Sequence, residues 1–406
     1  MSAYEPISDV EAAFWRDVRR RFTLPDDEVY LNSGSLSSIP RCTLEAQVDA
    51  LRRSERNPAV ENVLNWARED AARARIARYV GARPDELVFF SNVTIALNAL
   101  IRGLPLDGGE AILSDQEYTS CINALRFVAE RRNMTVRQFP MPLTPAEPDE
   151  VVRSVLSALG KDTRLVYLSH IVYGTGMVVP VASIARELAS RGVLLAVDGA
   201  HAPGQVPLDL GTMPVSAYGA NLHKWFLGPK GTAFAWVPRE LHRRMSPLMV
   251  GFGGFVSRRS GRDFPPGKPV EFQHAFRMPG CLNFSPMLAL EATLDFREEI
   301  GEERILRRLR QLAACCRETF ARRLGWRLLT PMHPELSAAM STFVLPEGFV
   351  LEGEGVAEWM RNFHARHRIT VSFGAGPPRA IRISPHIYNT ESEIDRLVEC
   401  LERETS

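Results

Sequence analysis

The chain has 406 residues, 45% of them hydrophobic and 24% charged, and its 49 Lys and Arg against 48 Asp and Glu leave a net charge of +1. This is the composition of a folded globular protein long enough for two or three domains. The balanced charge excludes the basic excess with which proteins bind nucleic acid or an acidic membrane. No stretch approaches the roughly eighteen apolar residues of a membrane span. The N-terminus is acidic and mixed, and Arg19-Arg20-Arg21 leads into Phe-Thr-Leu-Pro-Asp-Asp-Glu rather than an apolar core, which argues against a signal peptide. Cys42, Cys121, Cys281, Cys315, Cys316 and Cys400 show neither CxxC nor Cys/His ligand spacing, so they read as reduced thiols of a cytoplasmic protein with no metal site. Only Lys161, Lys224, Lys230 and Lys268 are lysine, so chemistry that needs a primary amine has four candidates.

There is no internal repeat or low-complexity tract. Between about 85 and 240, short apolar runs alternate with amphipathic stretches. Strands are predicted at Leu87–Phe90, Ala111–Leu113, Leu165–Leu168, Val193–Val197 and Thr232–Val237, with a helix from Ile95. Such continuous runs suit a mainly parallel sheet covered on both faces, and ligands bind in loops at the carboxyl ends of such strands. Residues 251–280, rich in Gly and Pro, form a long irregular segment. One helical pattern is predicted over 285–323. The remainder, with strands at Ser341–Leu345 and Ala380–Ser384 and helices over 353–366 and 391–403, reads as a small α+β domain.

The most informative segment is Ala217-Tyr-Gly-Ala-Asn-Leu-His-Lys-Trp-Phe-Leu-Gly-Pro-Lys-Gly231. Lys224 has Asn221, His223 and Trp225 for company. A lysine in such a site can lose its proton and act as a nucleophile, although a solvated turn lysine satisfies this segment equally well. Asp198, at the end of the fourth predicted strand, is either a helix cap or the carboxylate that keeps a pyridinium nitrogen protonated. Asn92-Val93-Thr94, between strand and helix, would present backbone N–H groups to an anion.

Together these motifs resemble the class V aminotransferase family of fold-type I pyridoxal phosphate (PLP) enzymes, in its isopenicillin N epimerase-like branch. The likeness runs from Tyr30-Leu-Asn-Ser-Gly34 to Arg382-Ile-Ser-Pro385. It implies an α/β fold with a large PLP domain over 20–280, built on a mainly parallel sheet, and a small α+β domain over 281–406. Residues 1–19 would form an N-terminal segment packed on the small domain or a partner. Lys224 would be the lysine bonded to the cofactor and a proton shuttle, and Asp198 the partner of the pyridine nitrogen. His201 would lie near the phenolic oxygen. His223, Asn221, Val93 and Thr94 would meet the phosphate. Tyr118 would stack on the ring where many relatives have histidine, though a phenol is the poorer acid–base group near neutral pH. Arg382 would take the substrate's α-carboxylate, with Asn32, Ser33 and Gly34 close by. A homodimer is implied, with active sites at its interface and segment 251–280 reaching across.

Three departures bear on the reaction. The stretch 371–379 lacks the nucleophilic cysteine of desulfurases. Phe276-Arg277 replaces a Gly-Thr pair that reaches the neighbouring subunit's phosphate, which makes Arg277 a candidate phosphate ligand. Tyr173 and Gly174 replace a polar residue near the phenolic oxygen, and Tyr173 becomes a candidate substrate contact. The expected activity is PLP chemistry at Cα or Cβ of an α-amino acid. A C–S β-lyase acting on a cysteine S-conjugate or similarly bulky amino acid in specialised metabolism is preferred. Aminotransferase, epimerase, and decarboxylating or oxygen-linked reactions are the alternatives, and a non-catalytic PLP-fold binding protein is the minor one. Epimerisation needs a second base, for which Tyr118, Tyr173, His170 or a water are candidates.

Overall fold

A computed structural model describes residues 6–257, 259–277, 280–374 and 378–405. The apolar runs of the first half assemble one seven-stranded sheet: β1 (Leu87–Phe90), β2 (Glu110–Ser114), β3 (Thr135–Phe139), β4 (Thr163–Ser169), β5 (Leu194–Asp198), β6 (Ala217–Asn221) and β7 (Ala233–Trp236). The spatial order is β1-β7-β6-β5-β4-β2-β3. All neighbours are parallel except β7, which is antiparallel to β1 and β6. Successive side chains point to opposite faces, and both faces are dry. Val166, Leu168, Leu195 and Val197 pack with Ile76 and Ile184 on one side, while Leu165, Tyr167 and Ala196 pack with Leu97, Leu100 and Leu125 on the other.

Two strands escape the sequence pattern for physical reasons. β3 is the sheet's edge and exposes Thr135, Arg137 and Gln138, so it carries no apolar run. β6 is buried at all five positions but reads Ala-Tyr-Gly-Ala-Asn. A Cβ at Gly219 would stand 2.9 Å from Leu97 of the helix Val93–Gly103, so the close approach of that helix requires small residues. The helical pattern over 285–323 is in fact three helices, Ser285–Leu288, Leu290–Ile300 and Glu302–Arg323. The last break is at Gly301, whose φ of 91° other residues avoid.

Packing also redraws the expected 20–280 and 281–406 division. Met287, Leu290 and Leu294 join the core of the large sheet. Val29 and Leu31 instead join Leu312, Phe320, Phe343 and Ile383 in the core of the small domain. That domain has a three-stranded antiparallel sheet of β8 (Ser341–Val344), β9 (Ser372–Gly374) and β10 (Ala380–Ile383), ordered β8-β10-β9. Val29–Tyr30 runs parallel to Ile369–Thr370, and Asn32 bridges Ser384 just beyond β10. This pairing delivers the Asn32–Ser35 turn to the strand that bears Arg382. The helix Asp9–Arg20 buries Trp15 and Val18 against Phe296, Ile305, Leu309 and Tyr388. Segment 251–280 holds a short hairpin, Phe255–Val256 with Asp263–Phe264, and the helix Phe272–Arg277. Among the described residues no helix is long and apolar enough to cross a membrane.

Arg297 ties the helix Leu290–Ile300 to the loop after β6. Its side chain is 2% exposed, ion-paired to Glu302 at 2.6 Å, and it donates to the carbonyls of Trp225 (3.1 Å) and Phe226 (3.3 Å). Removing one member of a buried ionic network strands the others. Arg297→Met should therefore lose about 3 kcal/mol of stability, measured by urea unfolding; a loss below about 1 kcal/mol, the value of a surface pair, would show that the loop is held by other contacts.

Candidate active site

The loops that follow β1, β2, β4, β5 and β6 meet the Gly34–Ser35 turn and Arg382 around a cavity of about 290 Å³. It lies at the carboxyl ends of the parallel strands, where helix N-termini and exposed strand ends leave backbone groups free for ligands.

Lys224 stands three residues beyond β6 in a tightly held turn. Leu227 N–H donates to the Lys224 carbonyl at 3.1 Å, with Leu227 itself at a φ of 69°, a conformation leucine seldom adopts. Ser37 N–H donates to the His223 carbonyl at 3.1 Å, and the Trp225 carbonyl accepts from His386 Nε2 at 3.1 Å as well as from Arg297. Lys224 Nζ lies 3.1 Å from His201 Nε2. Burial, reinforced by the Arg382 charge and opposed by Asp198, lowers the Lys224 ammonium to about 8. Burial, with the charges of Lys224 and Arg382, also holds His201 well below the usual imidazole range, so it is neutral at pH 7.

Asp198 ends β5, beneath the same cavity. One carboxylate oxygen accepts the Ala200 N–H at 2.8 Å, and the other accepts the Cys121 thiol at 3.4 Å. Burial raises its pKa, opposed by these hydrogen bonds and by Lys224. Because its hydrogen-bond partners are neutral, a protonated ring nitrogen fits it as the missing counter-charge. Cys121 is pushed far up by burial and by Asp198, so it acts as a donor rather than a thiolate.

At the helix Val93–Gly103, Asn92 caps the Ile95 N–H at 3.0 Å, and Asn221 Oδ1 accepts the Val93 N–H at 2.9 Å. The Val93 donor is thus already used, a correction to its expected role at the phosphate. Thr94 takes neither cap and lines the cavity. Asn221 and His223 also line the cavity, and His223 Nδ1 is buried without a hydrogen-bond partner. Burial lowers His223 to about 4, which keeps it neutral. A helix N-terminus with an orphaned imidazole nitrogen fits a phosphate.

Arg382, on β10, is a buried guanidinium among neutral acceptors. It donates to the Tyr173 carbonyl (2.8 Å), Ser35 Oγ (3.0 Å) and Asn32 Oδ1 (3.4 Å), and its Nε has no partner. Burial lowers it to about 10. A Cβ at Gly34 would sit 3.2 Å from its Nη2, so glycine leaves its flank open. A carboxylate is the ligand such a cation lacks.

The remaining expected residues divide. Tyr118 and Tyr173 both line the cavity, their rings edge to face at 5.2 Å. Ser33 turns away, its hydroxyl bonded to Tyr388 Oη at 2.6 Å. Arg277 also lies elsewhere: it is buried against Glu69, pairs with Asp70 at 2.7 Å and stacks over Trp66 at 4.6 Å. Within its own chain it is a structural ion pair rather than a phosphate ligand, because the helix Pro58–Tyr79 supplies its anions. Residues 375–377, in the stretch compared with the desulfurase loop, lie outside the described residues. Ser35 and Cys121, which line the cavity, and Trp225 beside the lysine were given no site role from the sequence. Only Trp225, adjacent to the lysine, carried a visible signal.

The model of the family described as aminotransferase class-V matches residues 29–397. An isopenicillin N epimerase of Amycolatopsis lactamdurans is 36% identical over 96% of this chain and 98% of its own. That of Streptomyces clavuligerus is 34% identical over the same shares. Among solved structures, C-DES matches in two forms. One is a variant with glycine covalently linked to its PLP cofactor (TM-score 0.82, 23% identity, covering 94% of this chain and 98% of that one). The other is the cystine C–S lyase with its product cysteine persulfide (TM-score 0.81, 24% identity, covering 93% and 97%). The likeness to both is one of fold-type I architecture, with a mostly parallel sheet. By the family match over 29–397 and these near-full-length relatives, this chain belongs to the class-V aminotransferase family and is a PLP-dependent enzyme.

Proposed function

We propose that the enzyme epimerises an α-amino acid at Cα. The observation that carries this reading is that two separate proton-bearing side chains, Lys224 and Tyr118, line one cavity with the unpaired Arg382 cation. Two near-full-length relatives named isopenicillin N epimerase support it. The C–S lyase preferred from the sequence has less behind it. β-Elimination needs no second base, and the lyase C-DES shares only 24% identity and so speaks for the fold alone.

Bound PLP supplies the electron sink that makes the substrate's Cα–H acidic. The chain's own residues do the rest. Asp198 holds a proton on the ring nitrogen, while His223, Thr94 and Asn221 hold the phosphate. Arg382, oriented by Ser35, Asn32 and the Tyr173 carbonyl, fixes the α-carboxylate and with it the direction of the Cα–H bond. Lys224, present in part as free amine near neutral pH, takes the proton from Cα, and Tyr118 returns one from elsewhere in the cavity. The reading includes a cytoplasmic homodimer. It is supported by the free state of all six cysteines and by the exposed Met249, Val250 and Phe252, the last 92% exposed.

Four outcomes follow. With single L-amino acids in D₂O, the holoenzyme should place deuterium at Cα and erode optical purity without releasing keto acid. Tyr118→Phe should still exchange deuterium but invert at least about a hundredfold more slowly, the usual worth of an acid–base group. Pyruvate release would instead mean elimination, and a pyridoxamine-like band transamination. Arg382→Gln should raise the half-saturating concentration of an active amino acid about thirtyfold or more, and should leave binding of its methyl ester nearly unchanged; equal losses for acid and ester would remove Arg382 from carboxylate recognition. Lastly, only the free amine of Lys224 attacks a carbonyl. Its lowered pKa therefore makes cofactor-free protein take up PLP with a rate that rises to a midpoint near pH 8 rather than the 10.5 of an ordinary lysine. A stopped-flow pH profile checks this.

A further inference from the structure

Trp225 touches the reactive amine's neighbour without a part in the chemistry described so far. Its ring is 1% exposed and stacks on His386 at 5.7 Å and 24°. Its indole N–H is directed at His201 Nδ1 over 3.4 Å, and His201 Nε2 lies 3.1 Å from Lys224 Nζ. Three side chains thus form one line of contacts that ends at the amine. An indole nitrogen only donates, so Nδ1 is the acceptor, and a neutral imidazole has a single proton, which then resides on Nε2. Gln205 Nε2 anchors the His201 carbonyl at 2.8 Å, so the ring's backbone is held as well.

We infer that Trp225 is a positioning residue that fixes His201 as the Nε2–H tautomer and thereby holds Lys224 as a free amine. An Nε2–H group is met by the lone pair of a neutral amine. The opposite tautomer would present a lone pair, which an ammonium satisfies. The tautomer therefore sets the sign of the contact: the donor form favours the neutral lysine, and loss of the indole donor raises the lysine's affinity for a proton. The other groups around Lys224 are Arg382 from the small domain, Asp198 at the end of β5, Cys121 from the helix Thr119–Arg131, and His223 beside His201. Arg382 disfavours the ammonium, Asp198 favours it, Cys121 is a neutral thiol, and none of these effects depends on which His201 nitrogen carries the proton. The inference rests on Lys224 as the cofactor-bonding lysine and not on the epimerase reading, so it stands whichever reaction at Cα the deuterium experiment finds.

Two measurements test it. In the first, full-length protein with ¹⁵N-labelled histidine is studied by NMR, and His201 is identified among the nine histidines by the signals that vanish in His201→Gln. The expected result is a protonated Nε2 and an unprotonated Nδ1; the reverse pattern overturns the proposal from wild-type protein alone. In the second, the pH midpoint of PLP uptake by cofactor-free protein is compared in wild type, Trp225→Phe, His201→Gln and the double variant. Phenylalanine keeps an aromatic ring against His386 and removes only the donor. Trp225→Phe should move the midpoint up by about half to one pH unit, the net value of one hydrogen bond, and should add nothing in the His201→Gln background. An unmoved midpoint, or the same shift in that background, would mean that Trp225 acts by packing alone.

Discussion

Lys224, Asp198 and Arg382 are withdrawn from water into one cavity, and the hydrogen-bond partners the structure gives them are all neutral. Burying an ionised group costs several kcal/mol unless an opposite charge meets it. The free protein therefore holds an amine pushed towards its uncharged form, a carboxylate with a raised pKa, and a guanidinium with no acidic partner among the described residues. Each deficit matches one part of the expected ligands: a carbonyl for the amine, a protonated ring nitrogen for Asp198, a carboxylate for Arg382.

Holding such groups in place requires a rigid frame, and its bonds come from opposite ends of the chain. Arg297 and His386 converge on the Trp225 carbonyl, while Ser37 N–H reaches the His223 carbonyl. These contacts support the unusual backbone of Leu227 and leave the lysine turn few alternatives. Val29–Tyr30, paired with Ile369–Thr370, places Asn32 and Ser35 at the guanidinium of Arg382. Arg382 and Lys224, which line one cavity, are thus carried by different sheets, the three-stranded one and the seven-stranded one.

Much of this was legible from residue order. Strands with branched apolar runs, such as β4 and β5, announce themselves, and the polar residue that closes β5 is Asp198; Lys224 stood out instead as one of four lysines, set between His223 and Trp225. The edge strand β3 and the glycine-bearing β6 were not legible, because one is solvated and the other is shaped by a helix that crosses it. Site residues were visible where their type is costly to bury, as with Arg382. They were hidden where an ordinary serine, cysteine or tryptophan gains its role only from a partner distant in sequence, as Ser35 does from Arg382 and Cys121 from Asp198. The partners of Arg277 within the chain were hidden for the same reason: Glu69 and Asp70 lie some two hundred positions earlier.

The claim on which the account turns is that the cavity bonds its cofactor through Lys224. Borohydride reduction of the PLP-loaded protein, followed by peptide mass spectrometry, tests it directly, because reduction makes that bond permanent. The account requires the added pyridoxyl mass on the peptide containing Lys224 and on no peptide in Lys224→Ala protein. The mass on Lys230, the nearest other lysine in sequence, or on no lysine at all, would contradict it.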